Sequence, residues 1–295
     1  MRRTAAVIVN PVSGRGQTLK KSEKVLRYLE KAGVNIHFLP TLYQGHGRLL
    51  AREHASQVEV LISVGGDGTL NEVINGLLES DADIPIAIIP AGTANVVAQE
   101  LNIPNDLESQ IRIAVEGPIR KLDLGMADHR PFIMAAGIGP DAEIVSRIAQ
   151  KRDHKGISKL NYIAPTYHTI FHYTYPTMRI IVDGKMADET ATFTLIGNCS
   201  LYGGHFHPFR NADPTDHLLD VCAMHMKKPA DWLPYARYGL LGRFSTCPDM
   251  THYQGREIQV LALDPVKVQI DGDPAGQLPM NFSILPEAVS FCVAG

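Results

Sequence analysis

In this 295-residue chain, the run Val64-Gly65-Gly66-Asp67-Gly68-Thr69-Leu70-Asn71-Glu72 holds the residue types best suited to chemistry. Glycines lack a Cβ, so the backbone turns sharply and approaches a ligand closely. The run joins an apolar stretch, residues 58–64, to a helix-like stretch, residues 70–78. Free N–H groups and the positive end of a helix dipole therefore face whatever occupies the turn. An anion fits there. Asp67 inside the turn would repel a bare phosphate, a conflict removed when a divalent cation accompanies it, since Mg²⁺ is held by one or two carboxylates plus phosphate oxygens. The plainer alternative is a tight strand-to-helix connection without a ligand.

Two more turns share this composition, Asn10-Pro11-Val12-Ser13-Gly14 and Pro90-Ala91-Gly92-Thr93-Ala94-Asn95. They follow apolar strand-like runs at 5–9 and 84–89. Between the turns lie a helix with Val25, Leu26 and Leu29 on one face and Lys20, Lys21, Lys24 and Arg27 largely on the other, a strand at 35–39 and a helix at 47–56. A helix at 96–101 follows the third turn. Strands alternating with helices predict a parallel sheet covered on both faces, with ligands at the carboxyl ends of its strands.

Beyond Leu122-Asp123-Leu124-Gly125 the texture changes. A helical stretch spans 141 to about 169, then β-type runs appear at 177–182, 190–196, 218–224, 258–263, 267–270 and 290–293. Asp183-Gly184 and Asp271-Gly272 mark turns between them. This predicts a mostly antiparallel β domain, a sandwich, with the boundary near Gly125.

The length favours two domains. Apolar content of 45% and charged content of 20% are those of an ordinary globular chain, and a net charge of −3 gives no support for nucleic-acid binding. Cys199, Cys222, Cys247 and Cys292 stand far apart and read as core residues in a reducing compartment, not as a disulfide frame or zinc site. The start of the chain has too few apolar residues for a signal peptide, and no run of about 18 apolar residues occurs. The expectation is a cytoplasmic protein.

Taken in order, Asn10-Pro-x-Ser13-Gly14, Gly65-Gly66-Asp67-Gly68-Thr69 with Asn71-Glu72, and Pro90-x-Gly92-Thr93-x-Asn95 resemble the diacylglycerol kinase catalytic-domain family, its bacterial soluble lipid kinase and sphingosine kinase-like branch above all. Later marks are Asp123, Gly137-x-Gly139-x-Asp141-Ala142-Glu143, Tyr202-Gly203-Gly204, Asp216-x-Leu218-Leu219-Asp220 and Asp271-Gly272-Asp273. The resemblance implies an α/β nucleotide domain (1–125), an antiparallel β-sandwich lipid-substrate domain (126–286), an active-site cleft between them, and a tail, 287–295, returning to the first domain. It implies ATP contacts from Asn10, Pro11, Val12, Ser13, Gly14, Thr41, Gly65, Gly66, Asp67, Gly68, Thr69, Leu70, Asn71, Glu72 and Thr93. Asp67 would orient Mg²⁺ directly or through water, and Asp123 is the family's acid on the inter-domain strand, either catalytic or a buried hinge carboxylate. A second, structural Mg²⁺ would use the Asp216 side chain with the carbonyls of Asp213 and Leu218. There the chain departs from the family, with His217 where glycine is usual. It departs again at Asp273, which stands where relatives usually carry the Glu that takes the lipid hydroxyl proton. Asp is one methylene shorter, and about 1 Å of misplacement costs roughly 10²-fold in rate. No GxxxxGK[ST] or GxGxxG is present, so P-loop and dinucleotide readings fall away.

Arg147, Lys151, Arg152, Lys155 and Lys159, with Asp153 among them, precede Tyr162, Tyr167, Phe171, Tyr173 and Tyr175. Cations beside amphipathic aromatics suit an anionic bilayer surface, each cation adding roughly 1 kcal/mol; a solvated helix beside core aromatics is the plainer alternative. His205 and His207 lack a third ligand and read as site lining. The expectation is an ATP- and Mg²⁺-dependent lipid kinase, peripheral at the inner membrane surface, whose partners are ATP and a lipid alcohol; a homodimer is compatible with the sequence. Its rivals are an NAD kinase, against which the two companion turns argue, and a nucleotide- and lipid-binding protein whose altered base has cost it catalysis.

Overall fold

The computed structural model describes residues 3–150, 163–204, 206–209 and 211–295. The chain forms two compact units, Met1–Leu122 with Glu287–Gly295, and Asp123–Pro286.

The first unit runs β1 (Thr4–Val9), α1 (Gln17–Lys31), β2 (Asn35–Pro40), α2 (His46–His54), β3 (Val60–Gly65), α3 (Asp67–Leu78), β4 (Ile86–Pro90), α4 (Val96–Glu100) and α5 (Leu107–Glu116). Its strands lie in the order β2-β1-β3-β4 and pair in parallel. Every residue of β3 is buried, as are Ala5 to Val9 of β1, so these strands read as unbroken apolar runs rather than alternating ones. Val25 and Leu29 of α1 and Ile111 and Val115 of α5 pack with Val7, Ile62 and Ile89 in one core cluster. On the polar side of α1, Lys20, Lys24 and Arg27 are exposed, but Lys21 is half-buried and donates to the Pro90 carbonyl at 2.7 Å. Sequence periodicity passed over α5, which starts where Asp106 Oδ1 accepts the Ser109 N–H at 2.8 Å.

β5 (Ile119–Ala127) leads into the second unit, followed by β6 (Arg130–Phe132), β7 (Ala135–Ile138), α6 (Pro140–Gln150), α7 (Ile163–His172), β8 (Met178–Val182), β9 (Lys185–Ala191), β10 (Phe193–Gly197), β11 (Leu219–Met224), α8 (Trp232–Leu240), β12 (Met250–Gly255), β13 (Glu257–Ala262), β14 (Lys267–Ile270), β15 (Asp273–Gln277) and β16 (Met280–Cys292). The helical stretch expected at 141–169 thus appears as α6 and α7, with 151–162 outside the described residues. One layer is an antiparallel sheet in the order β12-β11-β10-β7-β14-β15. The other carries β16-β13-β8-β9 and the β5–β6 pair, also antiparallel within this unit. Ile138, Val221 and Val268 of the first layer meet Ile180, Val260 and Phe282 of the second in a shared core, the sandwich the sequence predicts. α8 lies against an outer cluster formed with Leu195, Cys222 and Met224. The last residues of β16, from Glu287, belong to the first unit, where Phe291 pairs in parallel with Ile86 of β4. Among the described residues, no helix is long and apolar enough to cross a membrane.

Phe282 is 1% exposed and meets Phe132 edge-on, ring centroids 6.5 Å apart. Phe282→Ala is expected to cost about 3–5 kcal/mol through lost burial and the cavity left behind. Urea unfolding of the full chain should show a lower midpoint with an unchanged slope.

Candidate functional site

In the first unit, the turns after β1, β3 and β4 converge, each held by polar groups its own sequence supplies. Asn10 donates its backbone N–H to the Val64 carbonyl at 3.1 Å and its Nδ2 to Thr69 Oγ1 at 3.2 Å, while its Oδ1 accepts from Val12 N. Ser13 Oγ donates to the Ala91 carbonyl, and Ala91 N to the Gly65 carbonyl at 2.7 Å. Asn95, held at φ +51°, closes the third turn by accepting from Gly92 N at 2.9 Å and donating back to the Gly92 carbonyl. The glycines are required by contact: a Cβ on Gly92 would stand 2.5 Å from Gly66 Cα, and one on Gly14, at φ +59°, would stand 2.4 Å from the Ala91 carbonyl oxygen. A recess of about 10 Å³, room for one water, lies among Gly65, Gly66, Asp67, Leu70 and Asn95.

Gly66 is the N-cap of α3 and Asp67 its first residue. The Asp67 carboxylate lies beside the backbone N–H groups of Asn95, Val96 and Val97 at the start of helix α4, which favour its charged form. Burial is the largest influence on it and lifts its pKa above the usual carboxylate range, against the pull of those amides. Set among these amides, the Asp67 carboxylate suits a cation held directly or through water. The glycine cradle, by contrast, fits phosphate oxygens directly.

The other predicted nucleotide contacts are placed as follows. Thr41 is buried at the end of β2, its N–H on the Val9 carbonyl. Pro11 is half-buried, Val12 and Thr93 are exposed on their turns, and Gly68 is exposed at the start of α3. Leu70 is buried. Asn71 accepts from Asn75 Nδ2 through both its carbonyl and its Oδ1. Glu72 accepts Gly45 N at 2.7 Å and Gly47 N at 2.9 Å, anchoring the start of α2.

In the second unit Asp123 is buried and accepts from His217 twice, the backbone N–H at 2.8 Å and Nδ1 at 3.0 Å. His217 takes φ +62°, so the backbone keeps the left-handed turn that a glycine would supply, and the imidazole bond to Asp123 helps hold it. Asp213 Oδ1 accepts Thr215 N and Oγ1, its carbonyl accepts Asp216 N at 3.2 Å, and Asp216 Oδ1 accepts Leu218 N at 2.9 Å. Burial, then the Asp213 and Asp123 charges, push the Asp216 pKa up. Burial chiefly, with Asp216 adding, raises Asp220 to about 6. A cation bound by the Asp216 carboxylate and nearby carbonyls would relieve this repulsion. Among the described residues, no group of three or more His, Cys, Asp or Glu side chains converges as a metal site.

Asp271 and Gly272, at φ +49° and +85°, make the turn that delivers Asp273 to the start of β15. Asp271 is a backbone staple: its carboxylate accepts Ile133 N at 2.9 Å, Met134 N at 3.0 Å and Ala135 N at 3.2 Å. Gln269, absent from the sequence-derived set, ties the turn to a polar cluster. Its Oε1 accepts Gly272 N at 2.8 Å, and its Nε2 donates to Asp141 Oδ2 at 2.9 Å and to Tyr202 Oη at 3.0 Å. Tyr202 Oη also donates to Asp141. Burial raises the Asp141 pKa against both donors. A polar residue between buried Val268 and Ile270, just ahead of an Asp-Gly turn, was the available signal.

Of the residues considered for a bilayer face, Arg147 pairs with Glu143 at 2.7 Å, and Lys267 with the same carboxylate at 2.9 Å. Tyr167 and Phe171 are exposed and pack on one another, while Tyr173 and Tyr175 meet edge-on at 5.3 Å. Lys151, Arg152, Asp153, Lys155, Lys159, Tyr162 and His205 lie outside the described residues. His207 is exposed.

Residues 4–127 match the model of the diacylglycerol kinase catalytic domain, and residues 134–293 that of the YegS C-terminal NAD kinase beta sandwich-like domain. Similar proteins include a diacylglycerol kinase of Staphylococcus aureus (strain bovine RF122 / ET3-1), 28% identical over 283 residues that span 96% of this chain and 90% of that one. The diacylglycerol kinase of strain MRSA252 is 27% identical over the same spans. A crystal structure from Bacillus anthracis str. Sterne, provisionally assigned as a diacylglycerol kinase, superposes with a TM-score of 0.83 at 25% identity, covering 99% of this chain and 95% of that one.

The sign of the Asp141 shift gives a pH test. Its folded-state pKa lies above the unfolded value near 3.9, so the stability it contributes is full below about pH 4 and is lost as pH rises through the folded pKa. Asp141→Asn, which keeps an acceptor for Tyr202 and Gln269, should therefore raise the urea midpoint at pH 7 relative to the parent. The gain should vanish at about pH 4; a gain equal at both values would contradict the assignment.

Proposed function

Because this chain belongs to the diacylglycerol kinase catalytic domain family, with that family's YegS-type β domain as its second half, we propose that it is an ATP- and Mg²⁺-dependent kinase of a lipid alcohol, acting from the cytoplasm at the inner membrane surface. The observation that carries this reading is the convergence of the turns after β1, β3 and β4, with the backbones of Gly66 and Gly92 in contact. Backbone N–H groups there, with the hydroxyls of Ser13, Thr69 and Thr93 as expected partners, suit a polyphosphate rather than a neutral ligand.

In this reading Asn10 to Gly14, Gly65 to Thr69 and Thr93 hold the triphosphate, and Thr41 lies beside the nucleotide. Mg²⁺, when bound, neutralises charge on the transferring phosphoryl. Asp67, beside the amides that open α4, would orient the cation directly or through water. The lipid oxygen bonds to the γ-phosphorus as the bond to the bridging oxygen of ADP breaks, and the hydroxyl proton goes to Asp273. Asp271 and Gln269 fix the turn that presents this base. Asp123, gripped by His217, serves as a buried hinge carboxylate, and Asp216 with the Asp213 and Leu218 carbonyls would hold the structural cation.

Incubation with labelled ATP and vesicles of diacylglycerol or a sphingoid base, beside NAD as a competing acceptor, tests the reading. Labelled phospholipid supports it, and turnover of NAD alone overturns it. Asp67→Asn should lower turnover by roughly 10²-fold with the fold intact by circular dichroism. Asp273→Ala should abolish transfer while ATP affinity persists, and Asp273→Glu should retain or raise the rate. Turnover of Asp273→Ala at the parental rate would remove Asp273 from the base assignment.

A further inference from the structure

α8 is apolar on both sides. Its inward residues Tyr235 and, in part, Trp232 and Tyr238 pack with Phe244 in the outer core cluster. Its outward residues Leu233, Ala236, Arg237 and Leu240, with Leu241 just beyond, follow the spacing i, i+3, i+4, i+7, i+8 of a single helix face. Leu233 is 74% exposed, Leu240 91% and Leu241 61%. Phe206, 46% exposed, extends this surface: its ring lies against Gly239 and 5.9 Å from that of Phe244. A helix lying on a soluble domain ordinarily turns polar residues outward, and contiguous apolar surface marks an interaction site.

We propose that the outward face of α8, with Phe206, docks on an anionic lipid bilayer. Arg237 and Arg243 are exposed on the same segment, and no acidic residue occurs between Trp232 and Pro248. Leucines interleaved with cations match an interfacial helix, in which arginine stems lie along the apolar surface and the guanidinium groups reach the headgroups. A second copy of the chain fits worse. A two-fold contact would set the same arginine-bearing face against itself. A helix of nine residues, about 14 Å long, is also too short to bury the roughly 1,200 Å² of a stable interface. The head of α8 is latched to α7: Trp232 Nε1 donates to Tyr175 Oη at 2.6 Å, and Tyr175 Oη donates to the Ile170 carbonyl at 3.0 Å. α7 carries exposed Tyr167 and Phe171, so the two helices present their apolar side chains as tied elements. The proposal rests on the lipid-kinase reading, since an insoluble acceptor obliges the protein to reach a bilayer.

Trp232 is the chain's sole tryptophan and a built-in reporter. The full chain is mixed with vesicles of phosphatidylcholine, alone or with phosphatidylglycerol. With anionic vesicles, Trp232 emission should shift to the blue and be quenched by brominated acyl chains. Leu240→Glu combined with Leu241→Glu should cut vesicle partition at least tenfold, with an unchanged melting temperature and unchanged turnover of a short-chain diacylglycerol dissolved as monomer. Arg237→Glu with Arg243→Glu should remove the preference for phosphatidylglycerol. Absence of vesicle binding, or partition unchanged in the leucine variant, overturns the proposal. So does a dimer in sedimentation equilibrium that the leucine variant dissolves while vesicle binding persists. Binding that depends on Leu240 and Leu241 without any phospholipid product sinks the kinase reading and leaves the docking face standing. Phospholipid formation with partition indifferent to these leucines does the reverse.

Discussion

The candidate nucleotide site depends on one steric constraint, the contact between the backbones of Gly66 and Gly92. Two strand-to-helix turns can share a ligand only if their amides lie within one phosphate chain of each other. A Cβ at Gly92 would close that approach. The remaining bonds of the cradle, from Asn10 to Thr69, Ser13 to Ala91 and Asn95 within its own turn, keep the glycines where this contact leaves them. Glycine is costly in conformational entropy, and here buried strands on both sides of each turn, Val9, Val64 and Ile89 among them, confine the backbone from outside.

A second regularity is the use of carboxylates as acceptors for runs of backbone N–H groups. Asp271 takes those of Ile133 to Ala135, Glu72 those of Gly45 and Gly47, and Asp183 those of Arg256 and Glu257. Each bond to an ionised group is stronger than a neutral one, and each staple fixes a loop without adding apolar bulk. The acids that look chemical by residue type are thus divided. Some spend their lone pairs on the backbone, and Asp273, on a turn braced by such a staple, is the residue proposed above as the base.

Much of this was legible in the sequence. Alternating apolar runs and glycine turns located β1, β3, β4 and the cradle, because those features are local and periodic. The order of the motifs carried the family. Less legible were elements whose signal is tertiary. β6, β12 and β15 are short or polar and exist through their pairing partners. Gln269 looked like a stray polar residue in a strand until Gly272, Tyr202 and Asp141 surrounded it. Glu72 sits in the glycine-rich motif after β3, yet its carboxylate serves α2, which residue type and spacing cannot distinguish from ligand contact. His217 for glycine read as an obstacle to a left-handed turn; the structure holds it at φ +62° with its ring bonded to Asp123.

β16 begins in the second unit and ends in the first, where Phe291 lies beside Ile86. During synthesis on the ribosome, residues 1–122 therefore emerge without their last strand, and β4 presents an unpaired apolar edge until residues 287–292 are made. The unit translated first is the last to be completed. Such an edge is a template for wrong pairing, so the nascent chain is exposed to misassembly from the synthesis of Ile86 until Phe291 follows, and a chain lacking 287–292 keeps the β13–β16 pairing but leaves the first unit without its last strand.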